Sequence, residues 1–131
     1  MPLARDRNTP LKNSEIVLVP LAAAVKVFAG ALVVANAAGY GAPGSTATGL
    51  TYVGRAEENV DNTGGAAGAA SVPVRRLNAF KWANDGSINQ AHFMKTAFIV
   101  DDQTVAATDG TGTRSAAGRI VGIEADGVWV E

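Results

Sequence analysis

The chain of 131 residues has no cysteine, one histidine and two methionines. Without cysteine there can be no disulfides and no thiolate metal ligands, which accords with manufacture in a reducing cytoplasm. The lone histidine, His92, has no His-x-x-His or Glu-x-x-His partner spacing, and no recognisable serine motif accompanies it, so metal binding and nucleophilic catalysis have little to work with. Charge is scarce too. Charged residues make up 18% of the chain, below the usual proportion of about a quarter, and the net charge is −1 with lysines and arginines scattered. Binding to phosphate backbones needs a basic stripe, so direct contact with nucleic acid is not expected. A long apolar run is also missing: residues 17–38 are broken by Pro20, Lys26, Gly30 and Asn36, which argues against a membrane span. The opening MPLARDRNTP lacks the apolar centre of a secretory signal. A soluble protein without a membrane partner is expected.

What is present is small and β-prone. The composition is 47% hydrophobic with 15 glycines, and its surface must be covered largely by Ala, Gly, Thr and Asn. Such a surface loses little on desolvation and suits close packing against a partner. The length fits one domain. Residues 1–14 read as an extended N-terminal arm and residues 15–131 as a single β-rich domain. Pro2 and Pro10 deny the arm regular hydrogen bonding. Its ordering would cost about 1–2 kcal/mol per residue, which Leu3 and Leu11 alone cannot offset, so the arm is either disordered or held by a partner.

Residues 15–19, 25–28, 31–35, 50–56, 71–77, 97–100 and 104–107 read as short strands, because β-branched residues recur between Gly, Pro and Asn punctuation. Pro73 argues that 71–77 lies at a sheet edge. Residues 40–49, 57–70 and 108–115 read as loops, and Asp101-Asp102-Gln103 as a tight turn. Phe80 and Trp82, two apart, share one face of an extended segment. Residues 87–95 (SINQAHFMK) are the best helix candidate, two turns long. Residues 120–131 predict a hairpin turning at Asp126-Gly127, which puts Val121, Ile123, Ala125, Val128 and Val130 on a core face and Trp129 on the opposite one. The whole predicts a mostly β fold, a small barrel or sandwich with one short helix. No internal repeat points to a solenoid or propeller.

Candidate chemistry is thin. Asp101-Asp102 reads as turn capping, Asp109-Gly110-Thr111-Gly112-Thr113 as a plain loop, Glu57-Glu58 as a solvated strand end and His92 as structural or surface. No catalytic residue, cofactor site or metal site is expected. In a chain with 6% aromatic residues each large ring should anchor a core or an interface. Trp129, Trp82 and Phe80 are the subunit-interface candidates, and Trp129 stands apart because it points off the aliphatic face.

Several stretches resemble a known family. They are Arg5-Asp6-Arg7-Asn8-Thr9-Pro10, Val19-Pro20-Leu21-Ala22 leading into Val25-Lys26-Val27-Phe28-Ala29-Gly30-Ala31-Leu32-Val33, Gly54-Arg55-Ala56-Glu57-Glu58, Phe98-Ile99-Val100-Asp101-Asp102-Gln103-Thr104-Val105, and Ala117-Gly118-Arg119-Ile120-Val121 through Gly127-Val128-Trp129-Val130. Together they are similar to capsid cement, or decoration, proteins of Mu-like and related tailed phages, and loosely to the lambda-type head decoration protein. The resemblance implies a β-tulip or small barrel and a homotrimer. It also implies a location on the capsid surface of a virion assembled in the host cytoplasm, with the major capsid protein as partner. Arg5, Asp6, Arg7, Asn8, Thr9, Pro10 and Leu11 would then form a capsid-binding arm. A tail or head–tail joining protein is the alternative within the structural class. A small hydrolase or ligand-binding barrel is the alternative outside it; it would need a deep polar pocket, and titration near His92 or Asp101 would show it.

Overall fold

The computed structural model describes all 131 residues. Twelve strands follow one another: β1 (Ile16–Pro20), β2 (Lys26–Val27), β3 (Leu32–Ala35), β4 (Gly41–Pro43), β5 (Thr51–Ala56), β6 (Val60–Asp61), β7 (Ser71–Arg75), β8 (Phe80–Asn84), β9 (Thr96–Ile99), β10 (Thr104–Ala106), β11 (Ala116–Glu124) and β12 (Gly127–Val130). The fold is mostly β. Strands β10-β8-β12-β11-β9 close a small barrel, β1-β7-β5-β3-β4 form a five-stranded sheet, and β2 pairs with β6 alone. The outer strands of the sheet approach at one end, where Leu21 and Gly41 make a parallel bridge.

Strand β3 joins the two halves. Alternation along a strand sends successive side chains to opposite faces, so Leu32 and Val34 enter the barrel core with Trp82, Ile99, Ile120, Val128 and Val130. Val33 enters a second core with Val19, Leu21, Val27, Val72 and Val74. All three β3 residues are fully buried. That is why this run is continuously apolar where the half-exposed strands alternate. Two buried polar side chains lace the loops to these cores. Ser115 donates to the Ala47 carbonyl and accepts from Leu50 N–H. Asn62 donates to the Ala22 and Ala66 carbonyls.

Four expectations are corrected. The helix over residues 87–95 shrinks to one 3-10 turn, Gln90–His92, opened by Asn89 and left at Phe93 in extended geometry. A short helix depends on burying an apolar face, and here only Ile88 is buried while Phe93 and Met94 face solvent. The loops at 40–49 and 57–70 each contain a short strand, β4 and β6, paired across to β3 and β2. Strand β7 is interior, between β1 and β5, although it carries Pro73. The proline is tolerated because β5 pairs only with Val74 and Arg75. Pro73 lies beyond that pairing and contributes only its carbonyl, to Glu57 N–H.

The fourth correction concerns the last hairpin. Its turn lies at Ala125-Asp126, with Glu124 opposite Gly127 and Ile123 opposite Val128, and a register shift between Ile120 and Gly122 follows. Gly127 is needed elsewhere. A Cβ there would meet Lys81 Cγ at 2.7 Å and the Trp82 carbonyl at 3.0 Å, so glycine permits close approach of β8, not the turn. Of the expected core face, Val128 and Val130 are buried and Ile120 joins them. Val121 and Ile123 are half-buried, and Ala125 is exposed.

Candidate interaction surface

The arm meets the body at the start of β1. Arg76 N–H donates to the Glu15 carbonyl at 2.7 Å, and Arg76 Nη1 donates to the Ser14 carbonyl at 3.2 Å. Before that clasp, residues 1–14 form neither helix nor strand, and every one is exposed. Arg5, Asp6, Arg7, Asn8, Thr9, Pro10 and Leu11 all lie there, with one internal side-chain bond from Arg7 Nη1 to Thr9 Oγ1. The local cause is visible in the residues. Pro2 and Pro10 remove donors, and no periodic apolar face exists to dock.

The three aromatic candidates divide. Phe80 and Trp82 point from β8 into the barrel core, 7% and 4% exposed, with their rings tilted against each other at 6.1 Å. They pack within their own chain, so the expectation that they contact another subunit is set aside. Trp82 Nε1–H donates to Tyr52 Oη at 3.2 Å. Burial raises the Tyr52 pKa above the ordinary phenol value, partly offset by that bond. Trp129 lies on the outer face, 36% exposed, as alternation along β12 requires. Its Nε1–H donates to Glu124 Oε2, and the Lys81 ammonium sits 5.8 Å from its ring centre.

Two charged clusters flank this outer face. Lys81 bonds both oxygens of Asp126 at 2.9 Å and reaches Glu124 at 3.4 Å. The bond to Asp126 raises the Lys81 pKa, and the same bond lowers that of Asp126. Glu57 accepts from Arg55 at 2.8 Å and from Arg75 at 3.0 Å. The Arg55 bond is the main reason its carboxyl lies below the usual range. The Arg55 guanidinium also stacks 4.9 Å from the Phe80 ring centre. Glu57, expected as a solvated strand end, is instead the centre of this cluster. Its spacing of two from Arg55 was the available signal, whereas Arg75 comes from another strand.

The other polar candidates stay apart. Asp101 Oδ1 accepts from Gln103 N–H in a tight turn, and His92 Nδ1 accepts from Asn89 N–H. The Asp109 carbonyl accepts from Thr113 and Arg114 N–H within its own loop. No three His, Asp or Glu side chains come close enough together to hold a metal ion. The largest groove, about 670 Å³, lies beside the segment joining β7 to β8. Arg76, Glu131 and Tyr52 are its ionisable side chains.

No family model, curated protein or solved structure matches this chain. The surface must be read from its own geometry: an exposed polar arm clasped at Arg76, and an outer barrel face centred on Trp129.

Proposed function

We propose that this chain is a structural adhesion protein of a phage head, binding the outside of the shell and bridging major capsid protein subunits. The observation that carries the reading is the contrast between residues 1–14, exposed throughout, and a body whose two cores are complete without them. An arm of this kind gains order only on a partner. There it adds backbone hydrogen bonds to an exposed sheet edge, and those contacts offset the entropy that the arm loses on ordering. Arg5 and Arg7 add charge-assisted bonds to shell carboxylates. The β-tulip-like body acts as a homotrimer, so that several weak arm contacts combine into one strong attachment, with Trp129 as the aromatic available to a neighbouring subunit. Pressure from a packaged genome is then resisted by a molecule that spans several shell subunits.

The test is co-sedimentation with empty heads. Deleting residues 1–14 should leave a protein with unchanged circular dichroism that no longer pellets with heads. Undiminished pelleting of the shortened protein would refute the arm's role.

A further inference from the structure

One row of backbone groups in the sheet has no partner. Along β1 the peptide groups of alternate residues turn to opposite sides. Arg76 N–H bonds the Glu15 carbonyl at 2.7 Å and Leu21 N–H bonds the Ala70 carbonyl at 2.9 Å, so Glu15, Val17, Val19 and Leu21 face β7. Ile16 and Leu18 therefore direct their N–H and C=O groups outward. The register agrees, because Leu18 lies opposite Pro73, whose carbonyl is bonded from the far side by Glu57 N–H. Beyond Pro20 the edge is closed, since Ala22 N–H donates to the Gly41 carbonyl at 2.9 Å. Open edges are ordinarily guarded by charge, proline, a bulge or a covering segment, and Pro20 guards only the far end of this one. Here β1 reads IVLVP without a charge, and Ile16 and Leu18 are 42% and 67% exposed.

We propose that this edge is a self-association site whose occupant is β1 of a second copy, running antiparallel about a twofold axis at Val17. In that register Ile16 faces Leu18 of the partner subunit and Leu18 faces Ile16 of the partner subunit. Every outward N–H and C=O of both residues is then bonded. Pro20 of the partner subunit, which has no N–H, falls opposite Ser14. The Ser14 carbonyl already accepts from Arg76 Nη1 at 3.2 Å, so the missing donor leaves nothing unpaired. Centring the axis on Leu18 instead would set the proline against the Ile16 carbonyl and leave that group unbonded. Side chains of Ile16 and Leu18 share a face, so the same pairing brings the exposed apolar groups of both copies together. The contact is isologous. Alone it gives dimers, and beside a threefold contact it joins trimers in pairs. It does not rest on the capsid reading and is tested without heads.

The chain has no native thiol, so a single cysteine reports the register. Facing residues of a non-hydrogen-bonded antiparallel pair have Cα atoms about 4.5 Å apart, inside the disulfide range of about 4.4–6.8 Å. Full-length Val17→Cys should therefore oxidise to a covalent dimer. Leu18→Cys meets its own copy only across a diagonal of about 7–8 Å and should stay largely uncoupled. Light scattering should give an even number of subunits for the native chain. Leu18→Lys should halve that mass while its far-ultraviolet circular dichroism stays that of the native fold, and its melting temperature should lose any dependence on protein concentration. An odd number of subunits, a mass indifferent to Leu18→Lys, or coupling at position 18 in preference to 17 would overturn the proposal.

Discussion

Strand β3 makes a demanding test of how this molecule holds together. Leu32 and Val33 are neighbours, both fully buried, yet one belongs to the barrel core and the other to the second core. Leu32→Ala should cost about 2–5 kcal/mol, since the barrel around it can collapse only in part. Val33→Ala removes two methyl groups from the other cluster and should cost about 2 kcal/mol. For a domain of this size each kcal/mol lowers the melting temperature by roughly 3–6 °C. The assay is urea unfolding followed in parallel by tryptophan fluorescence and far-ultraviolet circular dichroism. Trp82 and Trp129 both sit in barrel strands, so fluorescence reports the barrel while dichroism reports the whole chain. Because one strand serves both cores, each substitution should shift a single transition by the same amount in both signals. If Val33→Ala moved the dichroism transition and left the fluorescence transition in place, the cores would be independent and the reasoning would fail.

Three further outcomes follow from the geometry. The Glu57 carboxyl has a lowered folded-state pKa, so its stabilisation is fully present above the unfolded carboxyl value, about 4.3, and fades as pH falls through the lowered folded value. Glu57→Gln should accordingly weaken the acid dependence of the melting temperature below that point, and an acid limb parallel to the native one would count against the Arg55 and Arg75 pairing. A Cβ at Gly54 would run into the Arg75 carbonyl of the adjoining strand. Gly54→Ala should then cost about 3 kcal/mol in chemical unfolding, and a neutral result would mean that β5 and β7 are not in this close register. Brief trypsin digestion should cut first at Arg5, Arg7 and Lys12 in the exposed arm, leaving a fragment resistant at Arg55, Arg75 and Lys81. Mass spectra showing body cleavage at the same rate would contradict the division between arm and body.

Local chemistry made much of this legible from the residues. β-branched runs between glycine, proline and asparagine marked most of the strands, because strand residues and turn residues differ in what their own backbones allow. Two-residue alternation put Phe80 and Trp82 on a shared face of their own segment and Trp129 off the aliphatic face of its hairpin, and both placements hold. The prolines of residues 1–14 and the absence of a periodic apolar face marked a segment that the body does not absorb. The helix expected over residues 87–95 failed for a matching reason: its apolar residues were not gathered onto a face that the core could cover.

Pairing was decided by the tertiary structure alone. Nothing local to residues 71–77 says that β1 will lie on one side and β5 on the other, and Pro73 is accommodated only because β5 ends where it does. Asp126-Gly127 has the local chemistry of a turn, yet Gly127 is required by the close approach of β8. The Arg55–Glu57–Arg75 cluster needs two strands to meet, and the open edge at Ile16 and Leu18 exists only because no other strand of the chain takes that place. Preferences of a few neighbouring residues determine which segments are extended. Which extended segments find each other is settled by hydrogen bonds and burial between residues far apart in the chain.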